Sequence, residues 1–164
     1  MRRRRLLLGI GSAVALGGCG FELRRAPELA FKTLYTNFQA ASGLGNEFKR
    51  AITATGQVSV TPDPASAQVI LEVLQDQREK AVVAYNSAGQ VREFQLRLRL
   101  RFKMRNQAGR ELVPETEILQ TREISFLESA ILSKEAEEQL LYRDMQSDIV
   151  QQLLRRLSAV HAIA

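Results

Sequence analysis

The segment from Phe94 to Arg105 alternates between apolar and polar side chains, and this pattern leaves few folds open. Its apolar members are Phe94, Leu96, Leu98, Leu100, Phe102 and Met104, and its cationic members are Arg97, Arg99, Arg101, Lys103 and Arg105. Successive side chains of a β-strand point to opposite faces of the sheet, so this strand is predicted to have one core face and one cationic face. Such a strand needs neighbouring strands beside it and a layer that covers its apolar face.

Turn signals indicate further strands on both sides of this segment. Two Asn-to-Gly separators, at 86–89 and 106–109, are typical of hairpin turns in which glycine accepts a positive φ, so they predict an antiparallel meander. The candidate strands are Lys32 to Thr36, Val58 to Val60, Val69 to Ala84, Val91 to Met104 and Glu111 to Phe126.

Two segments have the apolar spacing of amphipathic helices. Ser42 to Thr55 places apolar residues at helical spacing and is followed by Gly56, a typical stop signal. Ser133 to Ala159 is longer, and its stripe is Leu141, Met145, Ile149, Leu153 and Leu157. The long helix has Glu135, Glu137 and Glu138 in its first turns and Arg155 and Arg156 near its end, a polarity that suits the helix dipole.

The stripe of the long helix allows two interpretations. It can pack on the apolar face of the sheet, or it can lie on a membrane surface. Packing on the sheet is favoured, because the meander needs a cover and this is the long helix available for it.

The N-terminus has the features of a lipoprotein signal peptide. Arg2 to Arg5 form a basic head, an apolar run extends from Leu6 to Leu16, and Gly17-Gly18-Cys19 follows. A signal peptidase needs small residues next to the bond that it cleaves, and the cysteine thiol accepts a diacylglyceryl chain. We therefore expect a signal peptide at 1–18, lipidation of Cys19, an anchor and leader at 19–30, and one folded domain at 31–164.

The expected membrane anchor is lipid, not a helix. The run from Leu6 to Leu16 is well short of the ~20 apolar residues that cross a bilayer. Several acyl chains on Cys19, at ~0.8 kcal/mol per buried CH₂, would hold the chain firmly. Gly20 favours the outer membrane, since inner-membrane lipoproteins tend to have Asp after the cysteine. The run of arginines fits both general secretion and twin-arginine export.

Charge and residue types exclude several functional classes. Without residues 1–18, Lys and Arg fall from 23 to 19 against 18 acids, so the high isoelectric point comes mostly from the signal peptide and nucleic-acid binding is not expected. Cys19 is the sole cysteine and His161 the sole histidine, and His161 lies near the chain end. With no disulfide, no His-based metal site, no cofactor motif and no triad, the chain is not expected to be an enzyme.

The cationic face of Arg97, Arg99 and Arg101 has two interpretations. It can be a solvated sheet face whose charges are neutralised by acids on neighbouring strands, namely Glu72, Glu79, Glu117 and Glu123. It can also hold phosphates or acidic groups of a partner, because arginine forms bidentate bonds to such anions. The two interpretations are compatible.

The chain resembles the LptE family of lipopolysaccharide-assembly lipoproteins over nearly all of its length. The matching segments, in family order, are Cys19 to Arg24, Phe31 to Tyr35, Glu93 to Leu96, Arg122 to Phe126, Ile131 to Glu135, Met145, and Arg155 to Leu157. Glu22 and Arg25 depart from the pattern, since the family often has His and Gly at those positions.

The resemblance implies an α+β two-layer sandwich, in which two helices pack on one face of a four-stranded, mostly antiparallel sheet. It also implies a plug in the lumen of the outer-membrane β-barrel, LptD in this family, that places lipopolysaccharide in the outer leaflet. Direct lipopolysaccharide binding is expected at Lys134, Arg97, Arg99 and Arg101. The turn at 86–89 has no basic residue, so Arg78, Lys80 or Arg92 would have to substitute there. The alternative is a general periplasm-facing lipoprotein that binds amphiphiles or scaffolds the envelope.

Overall fold

The computed structural model describes residues 28–160, which form five strands and two α-helices. In chain order the elements are β1 (Thr33–Thr36), α1 (Gly43–Ala54), β2 (Ser59–Thr61), β3 (Val69–Tyr85), β4 (Val91–Asn106), β5 (Glu111–Ser125) and α2 (Ile131–Ser158), with short 3₁₀ turns at Pro64–Ser66 and Glu128–Ala130. The signal peptide, Cys19 and His161 lie outside the described residues.

The five strands form one mixed sheet in the order β2-β1-β3-β4-β5. β3, β4 and β5 are the predicted antiparallel meander, whereas β1 is parallel to both β2 and β3. The prediction of a four-stranded, mostly antiparallel sheet is therefore wrong, because the sheet has five strands and is mixed parallel and antiparallel. The predicted α+β class is confirmed.

The fifth strand has a simple physical origin. Parallel neighbours need a long crossover connection, and α1 supplies it between β1 and β2. β2 then pairs with β1 through Thr33 opposite Ser59 and Tyr35 opposite Thr61. The short segment predicted at Val58 to Val60 is thus an edge strand of the same sheet.

The alternation in β4 divides the molecule into a core face and an open face. Leu96, Leu98, Leu100, Phe102 and Met104 are at most 1% exposed. They share one hydrophobic cluster with buried residues of both helices, such as Phe48 of α1 and Met145 of α2. Both helices therefore cover the same face of the sheet, as expected.

The sheet has five strands at one end and three at the other. β1 pairs with β3 from Val69 to Leu71, while β3 and β4 continue together to their hairpin turn. The two hairpin turns close through Gly89 and Gly109, at φ 80° and 89°, values that favour glycine.

Helix α1 agrees with its predicted limits to within a residue. The Ser42 hydroxyl caps it by accepting from the N–H of Gly45 at 2.8 Å, and Gly56 follows at φ 68°. Gly45 also allows close packing, because a Cβ there would lie 2.6 Å from the Cβ of Phe38.

Helix α2 begins earlier than the sequence pattern predicts. It starts at Ile131, so Glu135 and the acids after it lie beyond the first turn, which contains no acid. The predicted basic end is confirmed by Arg155 and Arg156 in the last turn. The predicted stripe is buried from Met145 to Leu157, and Leu141 is partly buried.

Among residues 28–160, no helix is both long enough and apolar enough to cross a membrane.

Stability should depend on the core face of β4. Leu100→Ala removes a fully buried side chain, so we expect it to lower the free energy of unfolding by about 2–5 kcal/mol. Leu119→Ala on the neighbouring strand is the matched control, because Leu119 is 43% exposed and should cost less than about 0.5 kcal/mol. Urea denaturation of both variants measures the difference, and equal losses would contradict the assignment of the faces.

Candidate functional site

The open face of the sheet carries a ladder of ion pairs along β4. We call the five cations Arg97, Arg99, Arg101, Lys103 and Arg105, with their acidic partners, the charge ladder. The pairs are Arg97–Glu79 (4.0 Å), Arg99–Glu117 (3.1 Å), Arg101–Glu115 (3.3 Å), Lys103–Glu72 (3.1 Å) and Arg105–Glu72 (2.5 Å).

The charge ladder agrees with the interpretation that neighbouring strands neutralise the cationic face. Glu72, Glu79 and Glu117 pair as that interpretation expects. Glu123 forms no ion pair within residues 28–160, and Glu115 pairs with Arg101 instead. The cations are 29–43% exposed, so an external anion can still reach them, but it would compete with carboxylates already in place.

Glu72 is the acid of the ladder that serves two cations. Hydrogen bonds from Arg105 and then Lys103 lower the pKa of its carboxyl below the ordinary value of 4.5. Both cations favour the ionised carboxylate more than partial burial disfavours it. Glu72 is therefore charged at neutral pH and joins β3 to β4 across the open face.

A second candidate surface lies at the three-stranded end of the sheet. We call it the tip: the end of the β3–β4 hairpin, the end of β5 and the first turn of α2. Its exposed apolar side chains are Val82, Val83, Tyr85, Leu127, Ile131 and Leu132, of which Leu132 is 82% exposed. Clustered exposed apolar residues on a folded domain typically indicate a contact surface.

Two aromatic rings anchor the tip. Phe94 and Phe126 pack edge to face with centroids 5.5 Å apart. Lys80 lies over the Phe94 ring at 4.3 Å and bonds Glu138 at 2.6 Å. A small cavity of about 70 Å³ opens beside these rings. A cleft of about 350 Å³ lies between the hairpin turn and the chain that follows β5.

Lys134 lies at the tip and is apart from the arginines that were predicted with it. Its ammonium group donates to Ser125 Oγ at 3.0 Å and to Glu137 Oε2 at 2.8 Å, and it lines the small cavity. Arg97, Arg99 and Arg101 lie on the open face, opposite the helices. The structure therefore divides the predicted site residues between two surfaces.

Among the three candidates, Arg92 can best substitute for the basic residue that the hairpin turn at 86–89 does not contain. Of the three candidates, Arg78 bonds Gln146 at 2.8 Å and stacks on Tyr142, while Lys80 is paired with Glu138. Arg92 is exposed, lines the larger cleft and has no ion pair among residues 28–160.

The apolar part of the tip was not identified from the sequence. Tyr85 and Leu127 immediately flank predicted strand ends, and Leu132 lies off the stripe of the long helix. Large apolar residues beside turn signals were a local cue to an exposed surface, but only the fold shows that they lie at the same end of the sheet.

No group of three or more His, Cys, Asp or Glu side chains within residues 28–160 is arranged to hold a metal ion.

Comparison with known proteins identifies a family. The sequence model described as LptE, lipopolysaccharide-assembly, matches residues 31–157. The LPS-assembly lipoprotein LptE of Yersinia enterocolitica is 29% identical and covers 99% of this chain and 79% of the relative. The corresponding protein of Photorhabdus laumondii is 25% identical, with 98% and 89% covered.

Solved structures of lipoproteins share the fold. An uncharacterized lipoprotein B from Nitrosomonas europaea superposes with a TM-score of 0.72 at 35% identity, covering 85% of this chain and 91% of that one. A minor lipoprotein from Acinetobacter baumannii gives a TM-score of 0.63 at 23% identity, covering 80% and 94%.

The pKa of Glu72 makes a pH-dependent prediction. A carboxyl whose pKa is lowered in the folded state stabilises the fold above its unfolded pKa, and this contribution is lost as pH falls through the folded pKa. Glu72→Gln should therefore be less stable than the unsubstituted chain at pH 7. The gap should close as the pH falls below the lowered pKa of Glu72.

Urea denaturation at pH 7 and at several lower values measures this gap. Glu123→Gln is the control, because Glu123 has no ion pair among the described residues and its substitution should give no pH-dependent gap. A Glu72→Gln gap that is constant with pH would show that the two cations do not favour the ionised carboxylate.

Proposed function

The chain belongs to the LptE family of lipopolysaccharide-assembly proteins, and from this membership we propose that it is a non-enzymatic lipoprotein of the outer membrane that plugs the lipopolysaccharide-translocating β-barrel and contacts lipopolysaccharide. The observation that carries the proposal is a family match spanning residues 31–157 together with a tip that combines exposed apolar side chains and cations.

The proposed attachment to the membrane is the lipidated Cys19. Two or three acyl chains on one residue bind a bilayer far more strongly than one chain does. The domain itself then needs no apolar membrane-facing surface. The open face and the tip are two surfaces through which the domain can meet a partner.

The open face suits the lumen of a barrel. The interior of such barrels is polar and often filled by a plug. The charge ladder is a polar surface whose cations are paired with carboxylates, and the other face of the same strand is buried in the core. Because its charges are already paired, this face can lie against a polar wall without a large unpaired charge being buried.

The tip suits lipopolysaccharide. This glycolipid combines acyl chains with phosphates, so a complementary surface needs apolar contacts beside cations. Leu127, Ile131 and Leu132 supply exposed apolar area, and Lys134 and Arg92 supply the charge. Lys134 is held by Ser125 and Glu137, which orients its ammonium group, and its side chain is half-buried.

The binding role predicted for Arg97, Arg99 and Arg101 stays a prediction. Each of these arginines already has a carboxylate partner, so an added phosphate gains less there than at Arg92, which has no ion pair among residues 28–160. Lys134 is also paired, with Glu137, so the argument for the tip depends on Arg92 and the exposed apolar side chains beside it. We therefore place the main lipopolysaccharide contact at the tip and assign the arginines of the charge ladder a smaller share.

Co-purification tests the partner. Mild detergent extraction of cells that express the full-length lipoprotein with an affinity tag should recover a large LptD-like β-barrel in equal molar amount. A Cys19→Ala chain is the control for the anchor, because it cannot be lipidated. Recovery of the intact lipoprotein without any barrel would favour the alternative of a general amphiphile-binding or scaffolding lipoprotein.

Binding of purified lipopolysaccharide tests the tip. We expect the double variant Lys134→Gln/Arg92→Gln to lose about tenfold in affinity, roughly 1.4 kcal/mol, and to show a flatter salt dependence. Arg97→Gln/Arg99→Gln/Arg101→Gln should lose less, although it removes one more charge. Arg50→Gln/Arg155→Gln, exposed positions on the two helices, is the charge-matched control. Equal affinity for the tip variant and this control would show that the tip does not bind the glycolipid.

A further inference from the structure

The edge of β3 that faces β1 is unpaired over most of its length. β1 pairs with Val69, Ile70 and Leu71, and β3 continues to Tyr85. At Val73 the side chain of Asn37 takes the place of a strand residue: its Oδ1 accepts from the Val73 N–H at 2.6 Å and its Nδ2 donates to the Val73 carbonyl at 3.2 Å. Beyond Val73, the described part of the chain places no strand on this side.

The register shows which backbone groups point outward along this edge. Val73 lies opposite Phe102, and its bonds to Asn37 show that its N–H and C=O point away from β4. In an antiparallel ladder this orientation alternates along both strands. The residues opposite Leu100, Leu98, Leu96 and Phe94 share the orientation of Val73, and they are Asp76, Arg78, Lys80 and Val82.

The charged side chains along this edge lie on the helix side of the sheet, where they are bound by residues of the helices or their caps. Asp76 accepts from the Ser42 hydroxyl at 2.5 Å, and Arg78 bonds Gln146. Lys80 is paired with Glu138. All three residues are exposed, yet their charged groups are engaged by the helices and do not project over the open backbone.

A cleft runs beside the same edge. It has a volume of about 630 Å³ and is lined by the segment from Asn37 to Leu44 on one side and by β3 from Val73 to Arg78 on the other. This volume lies within the ~300–1,000 Å³ that is typical of binding clefts. Because the cleft continues the line of β1, it has the position that the next residues of a strand would occupy.

The other long edge of the sheet is protected in the ordinary way. β5 carries Pro114 and a series of acidic residues, which discourage pairing with another strand. The end of β3 reads Ala81-Val82-Val83-Ala84-Tyr85, with no proline and no charge, and Val83 and Tyr85 are exposed. An edge of this composition is a template for another strand. The residues before it, Asp76, Arg78 and Lys80, are charged, but their charged groups are bound on the helix side and so oppose pairing less than free charges would.

We propose that the free edge of β3, from Asp76 to Val82, pairs with an extended segment of the barrel partner, which adds to the sheet in line with β1. This inference rests on the proposed function, because it takes the barrel as the partner. Main-chain hydrogen bonds to the outward N–H and C=O groups supply the affinity, as in other cases of strand addition. The cleft leaves room for a single strand between its walls. A second copy of this chain would bring its own helices against those walls, because they flank the same edge of its β3.

A proline substitution tests the edge. The N–H of Val82 points away from β4, so Val82→Pro removes an outward donor and puts a ring in its place without breaking the β4 ladder. Leu119→Pro on β5 is the matched control, because Leu119 lies opposite Arg99 on the other free edge, is similarly exposed, and has the same outward backbone orientation. In the full-length tagged lipoprotein, we expect Val82→Pro to reduce the recovered barrel at least tenfold and Leu119→Pro to leave it nearly unchanged.

Photo-crosslinking tests the same contact even if the Val82→Pro variant fails to fold. A photoreactive phenylalanine analogue at position 82 should crosslink to one contiguous segment of the barrel. The same analogue at position 119, which lies on the open face and so can meet the wall of the lumen, should not crosslink to that segment. Crosslinks from position 82 to a second copy, or none while the barrel still co-purifies, would overturn the strand-addition proposal and leave the proposed function standing. Failure of the unsubstituted lipoprotein to recover any barrel would overturn both.

Discussion

The burial of one face of β4 under two helices is the interaction on which the rest of the structure depends. Leu98, Leu100 and Phe102 sit at the centre of a core to which α1 and α2 both contribute. Because side chains alternate along a strand, fixing these residues inward also fixes Arg97, Arg99 and Arg101 outward. The charge ladder and the choice of surface left open to a partner are therefore set by the packing of the core.

Electrostatics then distinguishes the two candidate surfaces. On the open face each cation meets a carboxylate of a neighbouring strand, and Glu72 serves both Lys103 and Arg105. At the tip, exposed apolar residues and an unpaired Arg92 lie together within the described structure. A ladder of matched charges suits a polar wall, whereas apolar area beside cations suits a phosphorylated lipid. The number of arginines and lysines on each surface would not by itself distinguish a surface for the barrel wall from a surface for the lipid.

Local sequence patterns predicted the elements better than their arrangement. The alternation in β4, the two Asn-to-Gly turns and the capping signals at Ser42 and Gly56 are features of neighbouring residues, and the structure follows them closely. The parallel pairing of β1 with β2 and β3 joins residues far apart in sequence, such as Leu34 and Val69, and no short pattern encodes it. The tip was missed for the same reason, since only the fold brings Tyr85 of β3 and Leu132 of α2 to the same end of the sheet. The charge ladder was partly predictable because register between hairpin strands follows from the turns.

The change from five strands to three along its length gives the sheet a taper. At about 4.8 Å between neighbouring strands, the backbone of the sheet narrows from roughly 19 Å across five strands to roughly 10 Å across three. In the proposed complex, the three-stranded end would fit a narrower part of the lumen than the five-stranded end. The width added by β1 and β2, the shortest strands in the sheet, would then limit how deeply the domain can insert.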